Sequence, residues 1–265
     1  MSNIFNFTKI LLKKVLPTSF LNIVKKRHYV NTLKNFNLEN EPDLALSKNL
    51  IMNGDLVVDI GANIGIYSKH MSEFVGLKGK VFSFEPILTT YTFLKNNISL
   101  LGLKNIESYN FAISDNSDVK TMVIPSVIAG ENYFRATIVE KENKSDNSTS
   151  YEVQSVPLDK ILNPSLKYSF IKIDVEGHEE NVLKGSKETI EFSKPILLIE
   201  IESDLADSTT SAGRINQYLS NLGYQIYLNN NQKLVKWKEG ASSINYFFIH
   251  KSSLPQIANE LFLDE

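Results

Sequence analysis

The chain has no cysteine and no long apolar run. With no cysteine among its 265 residues, disulfides, thiolate metal sites and covalent cysteine catalysis are excluded. No run approaches the length of about 18 apolar residues that a membrane span needs, and the early cluster Ile10-Leu11-Leu12 is followed at once by Lys13-Lys14. We therefore expect neither a membrane span nor a secretory signal, and we expect the protein in a reducing cytoplasm.

Acidic residues are absent from the first 38 positions, which contain seven lysines and arginines. Apolar residues are interleaved with these basic ones, so we predict a basic, mainly helical N-terminal extension over residues 1–53. The simplest interpretation is a lid that packs on the domain and exposes its charged face to water. A contact with an anionic membrane surface or with a polyanionic substrate is the alternative.

The composition is that of a globular protein, with 42% hydrophobic and 22% charged residues and a formal net charge of −2. We predict one large α/β domain over residues 54–250 and a C-terminal helix over residues 251–265. Composition does not identify a substrate or an oligomeric state.

The chain is organised around residues 56–68, an apolar, β-branched run that ends in Asp59 and breaks at glycine. This pattern predicts a buried parallel strand, a tight turn and the start of a helix. Gly61 lets the backbone approach a ligand, and Gly65 lets the helix pack closely on the sheet. The next predicted strand ends in Glu85, where a carboxylate can accept hydrogen bonds from a ribose, so an adenosine-bearing cofactor is indicated.

The spacing of the glycines distinguishes two such cofactors. A dinucleotide-binding turn has a second glycine where this chain has Asn63, and Asp59 before the turn would repel a pyrophosphate. A cofactor with a cationic amino-acid tail is favoured instead, which indicates S-adenosylmethionine (SAM) rather than NAD.

Strand and helix patterns alternate along the chain and predict a doubly wound, Rossmann-like, mostly parallel sheet with one antiparallel strand near the C-terminus. Between them, residues 114–156 predict a small β-hairpin insertion that contains a polar loop at 141–150. The remaining elements follow from periodicity and turn signals. Helices are predicted at 64–75, 87–101, 178–192 and 208–222, and strands at 105–113, 168–175, 195–202, 224–228, 233–237 and 244–249.

The strand at 168–175 places Lys172 and Asp174 on one face, late in a central strand. A buried lysine needs a carboxylate partner, and the neighbouring strands offer Asp59 and Glu200 at similar depth. We predict a polar cluster of Asp59, Lys172, Asp174 and Glu200.

Several motifs occur together and in a fixed order. They are Asp59-x-Gly61-Ala62-Asn63-x-Gly65, Phe84-Glu85-Pro86, Asn110-x-Ala112-Ile113-Ser114, Lys172-Ile173-Asp174-Val175-Glu176-Gly177-x-Glu179 and Leu198-Ile199-Glu200. Together they resemble the FkbM family of SAM-dependent methyltransferases over about residues 55–202. The resemblance implies a class I methyltransferase sheet and transfer of a methyl group to a hydroxyl, mostly on sugars of glycans, glycolipids or glycosylated metabolites.

The resemblance also assigns cofactor contacts. Asp59, Gly61, Ala62, Asn63 and Gly65 would face the methionine half of SAM, with Asp174 nearby. Glu85 and Pro86 would face the ribose. Asn110 and Ala112 would line the adenine edge.

The acceptor hydroxyl must also lose a proton, and the catalytic candidates are Lys172, Asp174, Glu176 and His178, of which His178 has an ordinary pKa near neutrality. Alternatively, Asp174, Glu176 and Glu200, with Glu179 near them, could hold Mg²⁺, since carboxylate oxygens are its preferred protein ligands. A surface position for His178 and a helix-dipole role for Glu179 are the structural alternatives.

Two other functions compete with O-methylation of a carbohydrate: a catalytically inactive SAM-fold binding module, and methylation of a small molecule that is not a sugar. Nucleic acid is not an expected partner, because the chain lacks a base-flipping motif after the fourth strand and lacks a basic face overall.

Overall fold

The structure of the protein, a computed structural model, describes residues 18–127, 130–131, 137–139 and 148–263. The first 17 residues of the predicted extension and residues 141–147 of the predicted polar loop lie outside the described residues.

An eight-stranded sheet forms the centre of the protein, in the order β3-β2-β1-β9-β10-β13-β11-β12. Its first five strands are parallel, β13 runs antiparallel to β10, and β11 and β12 continue the antiparallel edge. The strands are β1 (Leu56–Ile60), β2 (Lys80–Phe84), β3 (Ile106–Tyr109), β9 (Tyr168–Ile173), β10 (Ile196–Glu200), β11 (Tyr224–Asn230), β12 (Lys233–Lys236) and β13 (Asn245–His250). This is the mostly parallel α/β sheet that the sequence predicts, with its antiparallel region near the C-terminus.

Helices cover both faces of the sheet because the central strands are apolar on both faces. On one face Val57 and Phe170 pack with Met71, and on the other Val58 and Ile171 pack with other helices. The helices are α1 (Thr18–Lys34), α2 (Pro42–Ser47), α3 (Ile66–Val75), α4 (Leu88–Leu101), α5 (Leu158–Ile161), α6 (Glu179–Gly185), α7 (Lys187–Ser193) and α8 (Ser211–Asn221). Among the described residues, no helix combines the length and the apolar character that crossing a bilayer requires.

Helix α1 packs on α4 and on the turn after β1. The rings of Tyr29 and Phe93 meet edge to face with centroids 4.8 Å apart, and Leu33 is buried with Phe93 and Ile64. A 3₁₀ turn at Leu38–Asn40 and the short α2 follow, so helix is interrupted within the extension 1–53 that was predicted to be mainly helical.

The insertion after β3 forms a second, small sheet in the order β4-β8-β5-β6, with β7 paired to β5. Its strands are β4 (Ala112–Ile113), β5 (Asp118–Val127), β6 (Gly130–Glu131), β7 (Thr137–Val139) and β8 (Ser148–Val156). Because Ala112 and Ile113 pair with β8, the single strand predicted at 105–113 is divided between two sheets. Met122 and Val153 of this sheet pack against Ile87, which places the sheet beside the turn after β2.

Two predicted helices are wrong. The helix at 178–192 is broken at Ser186, where the chain passes so close to Ser114 that a Cβ on Gly185 would lie 1.9 Å from the Ser114 carbonyl oxygen. The C-terminal helix is replaced by two 3₁₀ turns, Leu254–Gln256 and Asn259–Leu261. Leu263 donates its backbone N–H to the Leu234 carbonyl, so this segment pairs with edge strand β12 instead of coiling into a helix.

Candidate cofactor and acceptor site

The glycine turn after β1 lies at the carboxyl edge of the sheet, where ligands bind in open α/β folds. The N–H groups of Gly61 and Ala62 both donate to the Phe84 carbonyl, which ties the turn to β2. A Cβ on Gly61 would lie 1.8 Å from the carbonyl oxygen of Asp174, so only glycine fits where the turns after β1 and β9 meet. Asn63 has a positive φ of 51°, a conformation that asparagine tolerates better than most residues.

Glu85 is the buried acid next to this turn. Its Oε2 accepts a hydrogen bond from the Asn63 N–H (3.0 Å), and its Oε1 accepts one from the Ile87 N–H (2.9 Å). Burial raises the pKa of Glu85 to about 7, although the two backbone hydrogen bonds lower it in part. Each carboxylate oxygen keeps a second lone pair, so the group can still accept hydrogen bonds from ribose hydroxyls.

A cleft opens between the two turns and the small sheet, with about 590 Å³ of empty space including its mouth. Eight residues predicted for the site line it: Gly61, Asn63, Glu85, Pro86, Ala112, Asp174, Glu176 and His178. The apolar wall of the cleft was not among the predicted site residues. It comprises Ile60, Phe84, Ile87, Phe111, Ile113, Met122, Ile138 and Val175. Met122 and Ile138 come from the insertion, whose sequence gives no sign that it faces a ligand.

The other predicted site residues lie behind this lining. The Asn110 amide donates to the carbonyls of Glu85 (2.9 Å) and Pro86 (2.8 Å), so it supports the turn after β2 instead of lining the cleft. Its expected contact with adenine stays a prediction. Ala62 and Gly65 shape the turn from within, since a Cβ on Gly65 would lie 2.7 Å from the Leu94 side chain.

The predicted polar cluster forms on the face of the sheet that α3 covers. Lys172 Nζ lies 2.7 Å from Asp174 Oδ2 and 4.5 Å from the centre of the Tyr67 ring. Burial alone would lower the pKa of Lys172, but the negative charges of Asp174 and Asp59 outweigh it and raise that pKa. The lysine is therefore a permanent cation among acids.

Asp59 is fully buried opposite Lys172 in the strand register. Its Oδ2 accepts a hydrogen bond from Ser68 (2.5 Å), whereas Oδ1 has no hydrogen-bond partner in the part of the chain that the structure describes. Burial raises the pKa of Asp59, and the nearby Lys172 charge lowers it in part. An unpartnered buried oxygen behind a glycine turn suits a cationic ligand group or a bridging water.

Asp174, Glu176 and Glu200 form what we call the carboxylate cluster: each places one carboxylate oxygen within 4.8 Å of the others. Burial, and then the charge of Asp174, raise the pKa of Glu200 to about 7. Glu176 has a positive φ of 52°, an uncommon conformation for glutamate that occurs often at functional turns. Glu179, the fourth acid considered for a metal, is buried and accepts a hydrogen bond from the Gly177 N–H (2.7 Å), so it stabilises the turn.

Two residues next to the cluster were missed by the sequence analysis. The Tyr67 hydroxyl donates to Glu41 Oε1 (3.2 Å), and the Tyr67 ring covers Lys172. Burial raises the pKa of both Tyr67 and Glu41. Glu41 precedes α2 and has no sequence motif around it, so only the fold brings it here.

His178 lines the cleft, but both of its ring nitrogens have protein neighbours. Nε2 lies 2.9 Å from Ser114 Oγ, and Nδ1 lies 3.4 Å from Asn181 Nδ2. Ser114 Oγ in turn donates to Asp115 Oδ1 (3.0 Å), so Nε2 carries the hydrogen if the Asn181 amide donates to Nδ1. Burial, and then the charge of Lys120, lower the pKa of His178 to about 4. The imidazole is therefore neutral near pH 7.

Solved structures with a similar fold include several methyltransferases. A methyltransferase FkbM from Methylobacillus flagellatus KT matches with a TM-score of 0.50 and 19% identity, over 86% of this chain and 58% of that chain. A SAM-dependent O-methyltransferase from Thermotoga maritima matches with a TM-score of 0.45 and 12% identity, over 83% of this chain and 69% of that chain. A SAM-dependent methyltransferase from Aquifex aeolicus matches with a TM-score of 0.40 and 17% identity, over 83% and 96% of the two chains. At 19% identity the likeness to the Methylobacillus chain shows the fold alone, and this chain spans little more than half of that chain.

No curated protein matches the sequence. A family model does: the methyltransferase FkbM domain matches residues 59–226, well over half of the chain. The match begins at Asp59, before the glycine turn, and includes Glu85 and the carboxylate cluster. The sheet order, the cleft at its carboxyl edge and this match agree, and the chain belongs to the FkbM methyltransferase family.

Proposed function

We propose that this protein is a SAM-dependent O-methyltransferase whose acceptor is a hydroxyl on a carbohydrate of a glycan, glycolipid or glycosylated metabolite. One observation carries the proposal: the glycine turn after β1 touches the turn that carries Asp174, so a cofactor cradle and a group of carboxylates share one cleft. Membership of the FkbM family supports the reaction class.

The residues of the cleft fit SAM. The turn at Gly61–Asn63 lines the cleft where the methionine half would lie, and the acids near it suit the ammonium and sulfonium charges. Glu85 lies where it can bind the ribose, and Ile87, Ala112 and Met122 offer an apolar wall for adenine. When bound, SAM supplies an electrophilic methyl group.

The carboxylate cluster suits removal of the acceptor proton. Asp174 is held by its ion pair with Lys172, so Glu200 is the neighbouring carboxylate that can take up a proton near pH 7. His178 is a weaker candidate for this base, because its pKa is low and both ring nitrogens have protein neighbours. The protein would then align the hydroxyl oxygen with the methyl group and exclude water.

Mg²⁺ is the alternative way to activate the hydroxyl. The same three carboxylates, Asp174, Glu176 and Glu200, would be its ligands, and the ion would lower the pKa of a bound hydroxyl in place of a base. Removal of divalent ions with EDTA separates the two schemes: turnover is retained if a carboxylate is the base and lost, then restored by added Mg²⁺, if a metal is required.

Calorimetric titration with S-adenosylhomocysteine tests the cofactor without knowledge of the acceptor. We expect micromolar affinity, and absence of binding would contradict the proposal and favour the inactive module.

Transfer of a labelled methyl group from SAM to a panel of hydroxylated glycans then tests the acceptor. In that assay Glu200→Gln should lower turnover at least tenfold without changing the affinity for S-adenosylhomocysteine. The exposed neighbour Glu202→Gln is the matched control. If only acceptors without sugar are labelled, the acceptor is another small molecule and not a carbohydrate.

A further inference from the structure

The outer surface of α1 combines exposed apolar and basic side chains. Ile23 is 55% exposed and Val24 is 50% exposed, although apolar side chains of this size are usually buried. Lys25 and Arg27 are exposed beside them. We call these four residues, Ile23, Val24, Lys25 and Arg27, the α1 surface.

The α1 surface faces away from the domain. Tyr29, Val30 and Leu33 form the buried side of the helix. By helical periodicity Val24 and Arg27 lie on the side opposite to Leu33. The helix is thus anchored by one face, and the other face has no partner among the described residues.

The basic residues of the α1 surface have no acidic partner among the described residues: neither Lys25 nor Arg27 forms an ion pair there. The first acid in the sequence is Glu39, and the residues after position 38 contain 30 acids but only 21 lysines and arginines. The molecule is therefore strongly polarised in charge, and an anionic surface would attract this end and repel the rest.

The apolar residues decide between two kinds of anionic partner. A soluble polyanion would satisfy the lysine and the arginine but would leave Ile23 and Val24 in water. An anionic bilayer satisfies both, since interfacial helices place apolar side chains among the headgroups and basic ones against the lipid phosphates. We propose that the α1 surface binds anionic lipid bilayers, with Lys25 and Arg27 on the headgroups and Ile23 and Val24 inserted between them.

Such binding would bring the bilayer close to the cofactor turn. Leu33 packs on Ile64, which lies inside that turn, so the helix that meets the lipid is also in contact with the turn. The proposal stands apart from the proposed methyl transfer, because lipid binding requires neither cofactor nor acceptor.

Co-sedimentation of the full chain with vesicles tests the proposal. We expect binding to vesicles of about 60% phosphatidylcholine and about 40% phosphatidylglycerol, and little binding to vesicles of phosphatidylcholine alone. Binding to the anionic vesicles should weaken at high salt. The double variant Lys25→Gln, Arg27→Gln should bind about 30-fold more weakly. The double variant Ile23→Ser, Val24→Ser should bind about tenfold more weakly.

The matched control is Lys48→Gln, Lys78→Gln, which removes two exposed lysines elsewhere and should bind like the unmodified protein. Absence of binding to the anionic vesicles, or an equal loss in the control variant, would overturn the proposal. Displacement by a soluble sulfated polysaccharide together with no effect of the Ile23→Ser, Val24→Ser variant would also overturn it, and would identify a polyanion site. Binding of S-adenosylhomocysteine by every variant shows that each is folded and reports separately on the proposed function.

Discussion

Two glutamates at the carboxyl edge of the sheet, Glu85 and Glu200, have a pKa that burial raises to about 7, but their neighbours differ. Glu85 is buried among backbone N–H groups that hold both of its oxygens, so burial raises its pKa against the effect of two hydrogen bonds. At Glu200 burial also has the largest effect, and the negative charge of Asp174 raises the pKa further. The comparison teaches that the same raised pKa occurs in two settings: among backbone donors that fix the carboxyl group, which suits binding, and beside other carboxylates, which suits exchange of a proton.

The largest effect is expected at Gly61, where the turns after β1 and β9 touch. Gly61→Ala would place a Cβ 1.8 Å from the Asp174 carbonyl oxygen, in a backbone conformation with φ of +81°. Either β1 or β9 must move, so we expect the free energy of unfolding to fall by about 5 kcal/mol.

Chemical denaturation measures this loss. Gly177→Ala is the control, because it has a similar φ of +97° but no atom within 4 Å of the added Cβ, and it should lose only about 1 to 2 kcal/mol. Equal losses in the two variants would show that the contact between the turns is unimportant.

The next largest effect is expected at Lys172, whose charged neighbours include Glu200. Lys172→Met removes the cation that Asp174 and Asp59 share, and leaves buried carboxylates unpaired. We expect a loss of about 3 kcal/mol at pH 7, at the low end for a broken buried pair because the Asp174 side chain is 31% exposed. Lys184→Met, which breaks an exposed pair with Glu180, should cost less than about 1 kcal/mol in the same denaturation experiment.

The pH dependence of the free energy of unfolding tests the raised pKa of Glu85. The folded protein raises the pKa of Glu85 from 4.5 to about 7, so it binds more protons than the unfolded chain between these values. Stability from this group is complete below pH 4.5 and is lost as the pH rises through 7, by an amount on the order of 3 kcal/mol. Denaturation curves from pH 4.5 to 8 should show this decline together with a second one from Glu200, whose pKa is raised to the same value. Glu85→Gln should therefore remove about half of the total decline; an unchanged slope in the variant would contradict the assignment.

Glu85→Gln should also separate the two glutamates by their effect on the cofactor. Loss of charge-assisted hydrogen bonds to ribose should weaken binding of S-adenosylhomocysteine by about 2 kcal/mol. Glu200→Gln should leave this affinity unchanged. Calorimetry measures both, and equal effects would abolish the distinction between a binding and a reacting glutamate.

The smallest effect is expected at His178, which lines the same cleft. Because its nitrogens already have protein neighbours and its pKa is about 4, His178→Gln should change turnover less than about threefold. A fall of a hundredfold or more, the range expected on loss of a general base, would make His178 the base in place of Glu200. Turnover should be measured from pH 5 to 8, because turnover depends on the protonation state only of the residue that acts as the base.

The sequence by itself determined the central sheet, the glycine turn after β1 and the acid that follows β2. The β-branched run before Asp59, the glycine turn and the acid after β2 are local patterns, and each forms its structure from neighbours along the chain. The alternation around Lys172 also determined which residues share a face, so the cluster of Lys172 with the acids was predictable. Local patterns failed where distant contacts decide, as at Ser186 and at the C-terminal segment that pairs with β12.

Only the tertiary structure decided the apolar wall and the state of the acids. Met122 and Ile138 reach the cleft because the inserted sheet folds over the turn after β2, and Glu41 reaches Tyr67 because the chain returns to the sheet edge. Whether a carboxyl group is charged depends on burial and on neighbours that are remote in sequence, which is why Glu200 could be named as an acid but not as one with a pKa near 7. Periodicity assigns a residue to a face, whereas depth and charge environment depend on how the faces pack.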